Sequence, residues 1–154
     1  MTPPTVRAMV MRDFGELTLH EVAYPAAPPP GGAVVQVLAN GVCGSDWALF
    51  SGEQRRPGGK PPAFPMIPGH EPVARVVEIT DEARQRWNVE VGDRIVIETR
   101  AVCGTCDRCR SGTGTCASPM IYSLRGLDDG AGLWGALAEY MTLVAGSTVF
   151  RVPD

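Results

Sequence analysis

Lysine is nearly missing from this chain. Lys60 is the only one among 14 basic residues, and the formal net charge is −3. The arginines are scattered, so neither a nucleic acid nor an anionic membrane surface finds the basic patch it requires. Histidine is as sparse, with two residues, and aromatics make up 6%. No apolar run approaches the roughly 20 residues that cross a bilayer. Residues Met1 to Arg7 lack the basic, apolar and small-residue regions of a secretory signal. No G-x-G-x-x-G turn stands after a strand signal, so a dinucleotide-binding βαβ unit is not expected within residues 1–154. These absences predict a reduced, cytoplasmic protein.

Turn-forming residues are abundant: 18 glycines and 14 prolines are spread over 154 residues. That favours short strands and many turns over long helices. Val6–Met11 and Leu17–Val22, split by Asp13-Phe14-Gly15, predict a hairpin. Ala33–Ala39, Pro72–Ile79, Asp93–Glu98, Leu133–Val144 and Thr148–Val152 predict further strands. Val42–Phe50 and Asp81–Asn88 each have room for a short helical turn. Ser51–Pro68, with five prolines, predicts a long loop. The pattern is all-β, a barrel or sandwich in one domain.

Four of the five cysteines fall within fourteen residues. Cys103, Cys106, Cys109 and Cys116 are spaced C-x2-C-x2-C-x6-C among several glycines. Four thiolates this close can enclose one tetrahedral ion and leave no position for water, which is the pattern of a structural zinc site. Two disulfides are an alternative. An iron–sulfur cluster is another, although there the fourth cysteine of such a run comes sooner and precedes proline.

The fifth cysteine, Cys43, lies in Gly41-Val42-Cys43-Gly44-Ser45-Asp46, and His70 lies in Pro68-Gly69-His70-Glu71. Alone, each reads as an ordinary packing or surface residue. Together, in glycine-flanked turns at strand ends, Cys43, His70 and Glu71 offer the sulfur, nitrogen and oxygen donors of an open catalytic zinc site. Asp46 could orient the His70 ring, and Ser45 would hold a hydroxyl two residues from a zinc-bound thiolate.

Together these residues resemble the zinc-dependent medium-chain dehydrogenase/reductase superfamily. The resemblance rests on the 41–46 turn, Pro68–Glu71, Val91-Gly92-Asp93-Arg94-Ile95, the four-cysteine lobe at 103–116, and Gly135-Ala136-Leu137-Ala138-Glu139-Tyr140, all in family order. It implies that residues 1–154 form the N-terminal GroES-like catalytic domain: a partly open β-barrel with short helical turns and a zinc lobe. By the same resemblance, Cys43, His70 and Glu71 belong to the catalytic zinc, and Cys103, Cys106, Cys109 and Cys116 to the structural one. Ser45 takes the substrate proton and Asp46 holds His70. A hydroxyl of an alcohol, polyol or sugar gives hydride to NAD or NADP, held by a Rossmann domain absent from these residues. The full-length enzyme is expected to be a homo-oligomer, and this stretch alone to be inactive. Ala48 stands where some members carry a relay histidine, so proton release would need another route. A rival is a free-standing zinc-binding module with a binding or regulatory role.

Smaller expectations concern single residues. Trp47, Phe50, Phe64 and Met66 are read as packing residues that could line a pocket. Trp134 is read as a barrel or interface residue, and Tyr122, Leu124 and Arg125 as possible contacts to substrate or partner. His20 is expected to face solvent, and Glu139 to pair within the domain.

Overall fold

The protein is described by a computed structural model covering residues 4–53, 62–130 and 132–153. Eleven short elements follow in order: β1 (Thr5–Asp13), β2 (Glu16–Ala23), β3 (Ala33–Asn40), α1 (Gly44–Ser51), β4 (Pro72–Ile79), α2 (Asp81–Trp87), β5 (Arg94–Ala101), α3 (Asp107–Ser111), β6 (Met120–Ile121), β7 (Tyr140–Leu143) and β8 (Ser147–Arg151). β1 and β2 form a hairpin, and a second sheet runs β6-β5-β4-β3-β7, with β8 also paired to β5. Every ladder between these strands is antiparallel. Register shifts in the β3–β4 ladder, after Val34 and after Val37, bend the larger sheet. Single bridges, Ala8 to Ala138 and Met11 to Met66, fasten the hairpin to it. The result is a curled, GroES-like, partly open barrel.

Alternation explains the core. Along β4, Pro72, Ala74 and Val76 point inward while their neighbours are half-exposed. Ala74 and Val76 meet Ala33, Val35, Ile95, Ile97, Met141 and Leu143 in the main cluster. A second cluster, Val6, Ala8, Val10, Ile67 and Leu133, seals the hairpin. A third, Met11, Leu49 and Met66 with Phe14, Phe50 and Phe64, docks α1. Phe50, Phe64 and Met66 are therefore packing residues. Trp47 is not: it is 61% exposed and leans on Phe50.

Two further expectations need correction. Leu133–Val144 is a strand only over Tyr140–Leu143. Residues 135–138 are instead pulled against the segment before His70, with Ala136 N–H donating to the Gly69 carbonyl at 3.0 Å and Leu137 N–H to that of Pro68 at 2.9 Å. A Cβ on Gly135 would be driven into the Ile67 carbonyl, so only glycine lets the two backbones lie this close. Tyr122 does not face a substrate or partner: it is 1% exposed, its hydroxyl bonds Ser147 Oγ, and burial pushes its pKa up. His20 is half-buried and shares a 2.8 Å hydrogen bond with Thr18 Oγ1. Trp134 is 3% exposed and packs in the main cluster, with Arg125 over its ring. Of the long loop Ser51–Pro68, residues 54–61 lie outside the described residues, as do residues 1–3 of the N-terminus. Gly130, Gly132 and Gly135 have the spacing of a phosphate-binding turn, yet this segment leads into β7, not into a helix.

Glu139 pairs within the domain as expected. Arg7 donates to it from its backbone N–H at 2.9 Å and from its guanidinium at 2.8 and 2.5 Å, tying β1 to the stretch before β7. Those bonds, the guanidinium's first, hold the Glu139 carboxyl below its usual range. A depressed carboxyl contributes stability above its unfolded pKa and loses it as the pH falls through the folded one. Glu139→Gln should therefore lower the urea midpoint at neutral pH, and the gap to the parent should close below about pH 4.5. A gap that persists unchanged at low pH would assign the effect to packing.

Candidate metal centres

Cys43 stands between β3 and α1, and His70 stands just before β4. Although 27 positions apart, Cys43 Sγ and His70 Nε2 lie 3.5 Å from each other. Ser45 Oγ is 3.0 Å from that sulfur and 3.1 Å from that nitrogen. The start of α1 makes this possible. Cys43 is extended and precedes the first turn, its N–H donating to Asp46 Oδ2 at 2.9 Å, while Asp46 N–H returns to the Cys43 carbonyl at 3.2 Å. The helix start thus carries Cys43, Ser45 and Asp46 on one turn. Gly69, with φ +91°, swings the chain to present His70, and a Cβ there would meet Leu137 N at 2.8 Å.

Asp46 sits behind the imidazole. Its Oδ1 is 3.2 Å from His70 Nδ1, with the two side chains 9% and 16% exposed. The contact is close enough to pair electrostatically but lies outside hydrogen-bond alignment, and among the described residues Oδ1 has no hydrogen-bond partner. A carboxylate on this side favours the proton on Nδ1 and leaves the Nε2 lone pair facing Cys43. The sulfur, the ring nitrogen and a carboxylate oxygen of Asp46 all lie within 4.8 Å of one another. One soft and one borderline donor, a histidine oriented from behind and a hydroxyl alongside are a donor set that fits a zinc ion. Glu71 is not part of this gathering. Its carboxylate lies against Gly41, and its N–H donates to Asn40 Oδ1 at 3.0 Å. Sequence reading passed over Asn40; its one signal is an amide at a strand end beside a glycine.

The second cluster holds Cys103, Cys106, Cys109 and Cys116, whose sulfurs all lie within 4.8 Å of one another. Four zinc–sulfur bonds of about 2.3 Å in a tetrahedron set the sulfurs about 3.8 Å apart. The Cys103 sulfur is 3.5 Å from that of Cys116 and 3.9 Å from that of Cys109. All five cysteines are free thiols, which speaks against two disulfides. Sulfurs this close suit a single ion better than a cluster of several irons. Backbone amides support the charge. Cys106 N–H points at the Cys103 sulfur and Cys103 N–H at that of Cys116, both at 3.4 Å. Amides of Thr105 and then Cys106 bring the Cys103 thiol down to about 6. Cys109 is pushed up to about 12, first by its hydrogen bond to Cys106, in a lobe that crowds four sulfurs within 4.8 Å of one another. A cation relieves that crowding. A surface concavity of about 300 Å³ among Asp93, Arg94, Arg151, Val152 and Pro153 shares no residue with either cluster.

An antiparallel half-barrel with a cysteine–histidine site at one strand end and a four-thiol lobe defines a class, and comparison with known proteins agrees. The alcohol dehydrogenase GroES-like domain matches residues 29–154. The chain belongs to that family, the N-terminal domain of the zinc-dependent medium-chain dehydrogenase/reductases. The erythritol/L-threitol dehydrogenase of Mycolicibacterium smegmatis is 38% identical over 99% of this chain and 42% of its own length. The 5-exo-hydroxycamphor dehydrogenase of Pseudomonas putida is 35% identical over 96% and 39%. The crystal structure of an alcohol dehydrogenase from Thermotoga maritima superposes with a TM-score of 0.78 at 30% identity, over 97% of this chain and 41% of that one. The chain thus spans about two-fifths of these relatives. Among the described residues no helix is long and apolar enough to cross a membrane.

Proposed function

We propose that residues 1–154 are the zinc-binding catalytic domain of a cytoplasmic NAD(P)-dependent dehydrogenase acting on an alcohol, polyol or sugar hydroxyl. The observation that carries this reading is the convergence of Cys43 Sγ, His70 Nε2 and Ser45 Oγ within 3.5 Å of one another, with Asp46 behind the ring. Cys43 and His70 would hold the zinc, whose chemistry there is to polarise the substrate oxygen. Ser45 Oγ, beside both ligand atoms and open to solvent, accepts the hydroxyl proton as its own passes to water. Asp46 keeps the imidazole in the ligating tautomer. Glu71, next in the chain to His70, offers a carboxylate that could join the ion after its side chain turns. The four-cysteine lobe would hold a second zinc as a structural clamp. Relatives named for tetritol, hydroxycamphor and altritol dehydrogenases support a small hydroxylated substrate, and a Sinorhizobium meliloti structure at 27% identity with NADP bound supports a nicotinamide cofactor. The cofactor would be held by a Rossmann domain outside these residues.

The test is turnover in a chain extended to the length of its relatives. With NAD or NADP and a panel of alcohols, polyols and sugars, absorbance should change at the nicotinamide band, and Cys43→Ala or His70→Ala should abolish it. Ser45→Ala should slow the reaction by roughly 10²–10⁴-fold, the usual worth of a positioned proton acceptor, with zinc content unchanged. Residues 1–154 alone should show no saturable binding of either cofactor by calorimetry. A zinc-loaded extended chain that is inactive over the whole panel sinks the proposal.

A further inference from the structure

We infer that Asn40 is a positioning residue that locks the Cys43 turn to the His70 turn. This rests on reading Cys43 and His70 as ligands of one zinc ion. The two turns leave neighbouring strands, and the β3–β4 ladder ends where Asn40 faces Pro72. Glu71 N–H faces β3 at the point where the turns diverge, yet among the described residues it bonds no main-chain carbonyl there. The side chain of Asn40 supplies the missing link. Its Oδ1 accepts the Glu71 N–H at 3.0 Å, while Gly41 N–H donates to the Glu71 carbonyl at 3.1 Å. Its Nδ2 donates to the Gly41 carbonyl at 2.6 Å, which fixes the orientation of the amide. The same nitrogen lies against the turn before His70, where a Cβ on Gly69 would come within 3.0 Å of it. One short amide therefore reaches residues 41, 69 and 71, the chain on both sides of His70 and just before Cys43. A ligand pair of two side chains from different strands is only as well defined as the backbone that joins them. Without this link, Glu71 N–H loses its acceptor from β3, and of the bonds joining the end of β3 to Glu71 only that from Gly41 N–H is left among the described residues.

The experiment uses the 154-residue chain and zinc as the probe. Alkylation of each cysteine by iodoacetamide is followed by peptide mass spectrometry as zinc is added back. The lobe cysteines, protected by their own ion, control for zinc loading, and the thermal transition of the barrel reports whether the domain is folded. Cys43 reports the site. In Asn40→Ala, protection of Cys43 should need about tenfold more zinc, the low end of what removing a supporting group costs a metal site. In Asn40→Asp, which keeps an acceptor for the Glu71 N–H, the requirement should lie nearer the parent. Parent-like protection in Asn40→Ala, or Asn40→Asp no better than Asn40→Ala, overturns the inference. Should Asn40→Ala also lose protection of the lobe, Asn40→Asp decides: protection within about threefold of the parent supports the inference, and any greater loss overturns it. Zinc that never protects Cys43 in the parent, or protects it equally in His70→Ala, shows instead that the metal reading is wrong, and this inference falls with it.

Discussion

Cys106→Ser should release the whole 103–116 segment while leaving the barrel folded. The lobe has no core of its own. Its helix, α3, is five residues long and buries none of them, far short of the 12–15 or so residues at which an isolated helix becomes even marginally stable. None of the three core clusters draws a residue from 103–119. What gathers the lobe is the four sulfurs, which lie within 4.8 Å of one another and would repel as bare anions. A metal ion changes that balance by on the order of 10 kcal/mol in small zinc modules, where binding and folding are one event. Removing one sulfur forfeits much of it. Arg108 and Arg110 lie within α3 and are exposed, so trypsin reads the outcome directly. Cleavage there should speed up by at least about a hundredfold in Cys106→Ser or after chelation, as expected when a segment drops to the low-stability end of the molecule. The thermal transition of the barrel should move little. Unchanged proteolysis on chelation would mean that the lobe is held by something other than a metal.

The same contrast between local chemistry and distant packing explains what the sequence made legible. β4 was readable to the residue, Pro72–Ile79, because alternation and its flanking turns agree. The thiol lobe was readable because its four ligands lie within one short segment. The pairing of Cys43 with His70 was readable only as donor chemistry plus family resemblance; no local signal sets two turns 27 positions apart at 3.5 Å. Leu133–Val144 misled because its apolar run does imply burial, yet residues 135–138 are buried against the Ile67–Gly69 backbone and not within a ladder. β6 was missed because two residues carry no periodicity. Trp47 was assigned to packing on hydrophobicity alone, but the helix start that Cys43 and Asp46 fix turns it outward. Asn40 escaped notice because its importance comes from the Glu71 N–H across the sheet, a relation visible only once the register is known.

Asp46→Asn should damage the Cys43–His70 site more than its single-atom change suggests. The carboxylate serves two groups at once: Oδ2 takes the Cys43 N–H at 2.9 Å, and Oδ1 lies 3.2 Å from His70 Nδ1, close enough to pair electrostatically. An amide has one oxygen and one NH2. If the oxygen keeps the Cys43 N–H, the NH2 is turned toward Nδ1. That nitrogen then serves best as an acceptor, which shifts the ring proton to Nε2, the atom facing Cys43 and Ser45. The lone pair a metal would need is then covered by hydrogen. If the amide flips, the imidazole is oriented correctly, but the NH2 opposes the Cys43 N–H and the start of α1 loosens under the sulfur. Either arrangement loses one ligand's orientation, and the site loses a negative charge that favours a cation. Zinc affinity at this site should fall by roughly 10–100-fold, the usual cost of removing a histidine's carboxylate partner. The lobe, which shares no residue with it, should keep its metal. Asp46→Ala, which leaves the ring free to choose either tautomer, should be no worse than Asp46→Asn. The measurement is zinc competition against a chromophoric chelator, resolved into one tight class of site and one weakened class. Two classes that remain as in the parent would show that Asp46 serves only to start the helix.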